Sequence, residues 1–180
     1  MQLPTELIKN FKTAGAVTHS SSRLVKRIID NIDFENTKYL IELGPGNGSI
    51  TVELLNHMKN DANLWAFEIN KAFCELLESI GDRRMKVINE SAEYLTKFIN
   101  PQMVPGKKYI VSSIPFGILP EAQCDRIMEE IDSISDKDTV FIQYSYSFTQ
   151  YRRFRKYFPK LKTQFELINI PPAFVFVGRK

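Results

Sequence analysis

The chain has 180 residues, 43% hydrophobic and 25% charged, so one domain of ordinary globular composition is expected and no second independently folded unit. No apolar run approaches the roughly 18 residues of a membrane span, and a formal net charge of +3 is too small by itself to imply a nucleic-acid partner. The opening Met1-Gln2-Leu3-Pro4-Thr5-Glu6 lacks the basic start and apolar stretch of a secretory signal, which makes a cytoplasmic location the expectation.

In chain order, Ser20 to Ile32 reads as a helix, with Leu24, Val25, Ile28, Ile29 and Ile32 on one side and Arg23, Lys26 and Arg27 on the other. Buried strands follow at Tyr39 to Leu43, Leu64 to Glu68, Met85 to Ile88, Tyr109 to Ser113 and Thr139 to Tyr144. Between them Ile50 to Met58, Lys71 to Ile80 and Pro120 to Ile134 have helical spacing, and Gly81 is placed to end the second of these. A shorter helix is expected from Ala92 to Phe98. Strand and helix in alternation predict an α/β fold: a doubly wound, Rossmann-like, mostly parallel sheet. Phe165 to Ile170 and Ala173 to Val177 are both strand-like and separated only by Pro171-Pro172, too short for a crossover helix, so they are expected to pair antiparallel and bring the sheet to seven strands. A helical lead-in over residues 1–34 thus precedes a sheet core over residues 35–180. Cys74 and Cys124 fall in helical segments without metal-ligand spacing to His19 or His57, so neither a disulfide nor a metal site is expected.

Glu42-Leu43-Gly44-Pro45-Gly46-Asn47-Gly48-Ser49 joins the first strand to a helix, and its alternating glycines permit a tight turn and close ligand approach. Glu68 ends the second strand, where a carboxylate can accept from both hydroxyls of a ribose. A dinucleotide fits the same layout, but its fingerprint wants glycine where Ser49 stands, and Glu42 would repel a phosphate. A carboxylate there suits the ammonium end of a zwitterionic sulfonium, held directly or through water.

Glu42 through Gly48 resembles motif I of the class I methyltransferases, and the terminal strand pair is similar to their sixth and seventh strands. The resemblance implies S-adenosylmethionine as cofactor, held by Glu42, Gly44, Pro45, Gly46, Asn47 and Gly48, with Glu68 and Ile69 at the ribose and adenine. It further implies that Glu90 and Ser91 read the adenine edge, although Asn89 stands where many relatives have glycine, and that Ser112 flanks the site.

Ser113-Ile114-Pro115-Phe116, after the fourth strand, resembles the Asn-Leu-Pro-Tyr type motif of adenine N6-methyltransferases, including the ribosomal RNA dimethylases. There a side-chain amide and the neighbouring carbonyl orient the exocyclic amine while the aromatic stacks on the base. Ser113 cannot reproduce the two-sided contact of the amide, which weakens the case for base methylation. Gly15-Ala16-Val17-Thr18-His19-Ser20-Ser21 and Asn169-Ile170-Pro171-Pro172-Ala173 are similar to Gly-Ala-x-x-Pro-Ser-Ser and Asn-Leu-Pro-Pro-Ala of bacterial phospholipid N-methyltransferases, with His19 in place of proline. Gln143-Tyr144-Ser145-Tyr146 looks like that family as well, and Tyr144 or Tyr146 is expected to line the acceptor pocket. The preferred acceptor is therefore a phospholipid headgroup amine of the phosphatidylethanolamine type, with RNA or DNA adenine and a non-catalytic relative as alternatives. The ribosomal dimethylases carry a further helical domain after the catalytic one, and a sequence ending at Lys180 counts against that alternative.

The stretch from Tyr151 to Lys162 places Tyr151, Phe154, Tyr157 and Phe158 on one helical face and Arg152, Arg153, Arg155 and Lys156 mostly on the other. Such a segment suits an anionic membrane interface or RNA phosphates, and a weaker candidate of the same kind runs from Leu3 to Lys12. The expected setting is the cytoplasm, peripherally at the inner membrane face. Methyl transfer needs an unprotonated amine, and an ethanolamine ammonium has a pKa around 10, so a proton must leave to water or to Tyr144 or His19. Ser113 completes the expected catalytic set.

Overall fold

The computed structural model of the chain describes residues 22–167 and 171–180. The expectations attached to Leu3 to Lys12, to Gly15 through Ser21 with His19, and to Asn169 and Ile170 lie outside the described residues. One sheet contains β1 (Tyr39–Leu43), β2 (Asn63–Phe67), β3 (Met85–Ile88), β4 (Lys108–Ser112), β5 (Thr139–Ser145), β6 (Lys160–Glu166) and β7 (Ala173–Arg179). Its order is β3-β2-β1-β4-β5-β7-β6. The first five strands are parallel, and β7 runs antiparallel to both β5 and β6.

Both faces of the sheet are apolar because alternate residues of each strand serve opposite helical layers. In β1, Leu40 packs with α1 (Ser22–Ile29), α2 (Ser49–His57) and α3 (Lys71–Glu78), through Ile28, Leu54 and Leu77. Ile41 and Leu43 pack the other way, with a 3-10 turn (Ala92–Tyr94), α4 (Leu95–Phe98), α5 (Glu121–Ser133) and α6 (Tyr151–Tyr157). No helix among the described residues is long and apolar enough to cross a membrane.

The register fixes where chemistry can happen. Leu43 pairs with Phe67 and with Ser112, and Phe67 pairs with Ile88. Gly44, Glu68, Asn89 and Ser113 therefore emerge level with one another at the carboxyl edge of the sheet. Strand order reverses between β1 and β4, and ligands of open α/β sheets bind in the crevice at that reversal.

Two expectations need correction. The sixth strand begins at Lys160 rather than Phe165 and ends at Glu166, and its connection to β7 is longer than two prolines. It is an edge strand whose residues from Lys160 to Phe165 are exposed or half-buried, so no apolar alternation announces it. Correspondingly the basic helix stops at Tyr157, and Lys160 and Lys162 belong to the sheet.

The aromatic face of α6 is core. Phe154 and Phe158 are fully buried, and the Phe154 ring meets Phe116 edge-on at 5.3 Å, Phe176 at 5.4 Å and Phe141 at 5.6 Å. Gly178 in β7 makes room for this packing, since a Cβ there would lie 2.6 Å from Cβ of Phe158. Phe154→Ala is expected to destabilise the fold by about 3–5 kcal/mol in denaturant unfolding, against less than about 0.5 kcal/mol for Arg152→Gln on the solvent face. Arg153 is also drawn inward: its guanidinium pairs with Glu121 and Gln150, and its Nε donates to Asp125 at 3.1 Å. It is not available for a partner's phosphates, contrary to expectation.

Candidate active site

The loop after β1 is shaped by backbone conformation and by its own polar side chains. Gly44, Gly46 and Gly48 take φ of 69°, 54° and 78°, in the left-handed region that glycine occupies without strain. Oδ1 of Asn47 accepts from the backbone N–H of Ser49 at 3.2 Å and from its hydroxyl at 2.8 Å, and the Gly48 N–H donates to the Pro45 carbonyl at 3.0 Å. Asn47 and Pro45 thus hold the turn. A Cβ on Gly46 would meet nothing within 4 Å, so that side of the loop is open.

Glu68 ties this loop to the end of β2. One carboxylate oxygen accepts from the Gly46 N–H at 2.9 Å and the other from the Asn70 N–H at 2.8 Å. Each oxygen keeps a lone pair for a further donor, such as a ribose hydroxyl. Asn89 braces the same corner, its Nδ2 donating to the Glu68 carbonyl at 2.9 Å and to the Ile69 carbonyl at 3.2 Å. The side chain standing where relatives have glycine is thereby given a structural task between the ends of β2 and β3.

A cavity of about 240 Å³ opens beside Glu68. Phe67, Ile69, Ala92, Ile114, Leu119 and Ile127 give it apolar walls, and Glu68, Glu90, Ser91, Ser113 and Gln123 supply polar groups. Ile69 is 75% exposed, an apolar side chain left open at the rim. The Ser91 hydroxyl caps the 3-10 turn, accepting from the Glu93 N–H at 3.2 Å, and Nε2 of Gln123 donates to Glu93 at 2.7 Å. Neither lysine nor arginine lines the cavity among the described residues. Apolar walls for a flat ring, a carboxylate for a diol and no cation for a pyrophosphate fit an adenosine without phosphates.

Glu42 lies beneath the glycine loop, fully buried, and neither carboxylate oxygen has a hydrogen-bond partner among the described residues. Burial pushes its carboxyl up to about 8, the neighbouring Thr51 hydroxyl opposing the rise and the Glu68 charge adding to it. An orphaned buried carboxyl of this kind can be met by a cation, which would hold it ionised.

On the acceptor side, Ser113 is half-buried and Pro115 exposed. The Ile114 carbonyl accepts twice, from Nε2 of Gln143 at 3.0 Å and from the Phe116 N–H at 2.9 Å. Gln143 is fully buried. Phe116 is only 2% exposed and packed on Phe154, so it has no open face for a base, which corrects the stacking role expected of it. Ser112 is likewise buried, its Oγ accepting from the Ile114 N–H at 3.3 Å, and it supports the acceptor loop from behind.

Of the residues expected at the site, the structure gathers Gly44, Glu68, Ile69, Glu90, Ser91, Ser113, Ile114 and Pro115 around one cavity. Tyr144 packs instead with the helical layer of α1 and α2, its ring 6.0 Å from that of the exposed Tyr146, and neither lines the cavity. Sequence reasoning missed Phe67, Leu119, Gln123 and Ile127. The last three recur every four residues, and a polar Gln123 within that apolar stripe was the available signal.

Fold and site together define a class I S-adenosylmethionine-dependent methyltransferase. The family described as ribosomal RNA adenine dimethylase matches residues 13–141, and the chain belongs to that family. Among characterised relatives, an ornithine lipid N-methyltransferase of Singulisphaera acidiphila is 24% identical over 177 residues, covering 97% of this chain and 92% of that one. A ribosomal RNA small subunit methyltransferase A of Thermotoga neapolitana is 30% identical over 107 residues, covering 59% of this chain but 38% of that one. Among solved structures, the precorrin-6y C5,15-methyltransferase of Geobacter metallireducens superposes with a TM-score of 0.71 at 11% identity, covering 92% of each chain, and shows the shared fold.

Proposed function

We propose that the chain N-methylates the headgroup amine of a membrane lipid, of the phosphatidylethanolamine or ornithine-lipid kind. The observation that carries this reading is the acceptor loop. An adenine N6 amine needs a side-chain amide, a neighbouring carbonyl and a stacking ring. Here Ser113, a hydroxyl, stands in place of the amide, the Ile114 carbonyl already has two donors, and Phe116 is turned into the core. The near full-length likeness to an ornithine lipid N-methyltransferase supports the same reading, whereas the likeness to the ribosomal enzyme spans 38% of its length.

In this scheme Glu68 holds the ribose hydroxyls, Ile69 flanks the adenine, and Glu90 with the Ser91 backbone amide reads its edge. Glu42 balances the ammonium beneath the loop formed by Gly44 through Gly48. When bound, S-adenosylmethionine supplies an electrophilic methyl group on a sulfonium. The protein's part is to exclude water and to hold an unprotonated amine against the wall made by Ser113, Ile114 and Pro115, whose half-buried hydroxyl can accept one amine hydrogen. The ammonium proton leaves to water at the open rim.

Incubation with radiolabelled S-adenosylmethionine and vesicles containing phosphatidylethanolamine or ornithine lipid is expected to place label in the lipid fraction, and none above background in total RNA. Label in RNA, diminishing as salt rises, would instead establish the adenine reading.

A further inference from the structure

Among the described residues, the topology places two groups of cations at opposite edges of the sheet. α6 carries the chain away from the carboxyl edge and delivers it to Lys160, which pairs with Arg179 at the amino edge. Arg155 and Lys156 occupy the last turn of α6, so they stand towards Lys160, Arg179 and Lys180 and away from the cavity. A bilayer bound through that group would face the wrong end of the sheet.

The carboxyl edge has a different surface. β6 arrives there with Phe165 and Leu167, which are 44% and 70% exposed. The Phe165 ring packs on Phe174 at 4.8 Å, and Phe174 on the half-exposed Phe148 at 5.4 Å, extending the apolar strip towards the loop that leaves β5. Across an open groove of about 680 Å³ stand Arg23, Lys26 and Arg27 of α1. Asp30 pairs with Lys26 and Glu166 with Arg27, while Arg23 has no carboxylate partner among the described residues.

The geometry points to this surface, between α1 and the end of β6, as the face that docks on an anionic phospholipid bilayer. The inference rests on the lipid-amine reading and adds where the bilayer sits. Aromatic and leucine side chains beside the unpaired Arg23 and the exposed Lys26 match the acyl boundary and phosphate layer of such an interface. Nucleic acid would have no use for Leu167, whose exposed aliphatic side chain suits an acyl boundary. Docked this way, the carboxyl edge and its acceptor loop meet the headgroups directly.

The test is co-sedimentation of the full chain with phosphatidylglycerol–phosphatidylcholine vesicles, using phosphatidylcholine alone as reference. Phe165→Ser with Leu167→Ser, and separately Arg23→Gln with Lys26→Gln, are each expected to weaken binding to the anionic vesicles by about tenfold. Arg155→Gln with Lys156→Gln at the far edge is expected to stay within about twofold. All these side chains are on the surface, and unchanged calorimetric affinity for S-adenosylmethionine verifies that each variant is folded. Loss of binding in the far-edge pair with retention in the other two overturns the inference, as does wild-type protein that ignores vesicles or that shows the same losses on single-stranded RNA instead. Methylation of a dispersed short-chain phosphatidylethanolamine separates the two claims. Wild type that methylates this substrate but ignores bilayers overturns the surface alone. Vesicle binding through this face without methylation of any lipid amine overturns the acceptor and leaves the surface standing.

Discussion

Replacing Glu68 by glutamine is expected to weaken S-adenosylmethionine binding by about a hundredfold, with little change in the size of the side chain. The carboxylate accepts on both oxygens, from Gly46 N–H and Asn70 N–H. An amide has one oxygen, so either backbone N–H would face an NH2 group and the glycine loop or the start of α3 would shift. A ribose hydroxyl would also lose a charged acceptor. Hydrogen bonds to a charged group are worth about 1.5–3 kcal/mol each, and losing one such bond together with loop order reaches the stated magnitude. Titration calorimetry with S-adenosylhomocysteine, which lacks the methyl group and does not turn over, measures it cleanly. Affinity within about threefold of wild type would remove Glu68 from the cofactor site.

Glu42→Gln is expected to remove a pH dependence. Burial raises the folded-state pKa of Glu42 from 4.5 to about 8, so between those values the folded protein holds a proton that the unfolded chain has lost. Stability of the cofactor-free protein therefore falls as pH rises through this window, by at most about 1.4 kcal/mol per unit. The glutamine variant has no such slope, so its stability relative to wild type rises across this window. Cofactor affinity behaves in the opposite sense. In wild type it rises with pH as the carboxyl ionises to meet the ammonium, and binding below pH 8 releases a proton that calorimetry in buffers of different ionisation enthalpy detects. In the variant both the rise and the release disappear. Equal slopes in the two proteins would mean that Glu42 does not titrate in this window.

How far the sequence led depends on whether burial left a pattern. Four of the five parallel strands are central and apolar, and the limits predicted for all five agree with the structure to within one residue, as at Tyr39–Leu43 and Met85–Ile88. β6 was misplaced because an edge strand written Lys160-Leu161-Lys162-Thr163-Gln164 carries its charges as protection against further pairing, and charges read as helix surface or loop. The cofactor side was legible because glycines and a strand-ending carboxylate are local features. The acceptor side was less so. Phe116 looked like a stacking platform, but Phe154, 38 positions further along, packs against it, and no local pattern announces a contact between a loop and a helix that meet only in space. Gln123 entered the cavity for the same reason, from a helix whose first purpose is packing.

The doubly engaged carbonyl of Ile114 bears on how many times one nitrogen can react. An amine gives up an N–H with every methyl it gains, and a site that gripped those hydrogens would lose hold after the first transfer. This carbonyl has Gln143 and Phe116 for company and asks nothing of the incoming nitrogen. The Ser113 hydroxyl beside it can turn, accepting from an N–H or pointing elsewhere when none is left. On the lipid-amine reading, the grip of this loop does not depend on how many hydrogens the nitrogen carries, so successive methylation of one headgroup is the expected outcome.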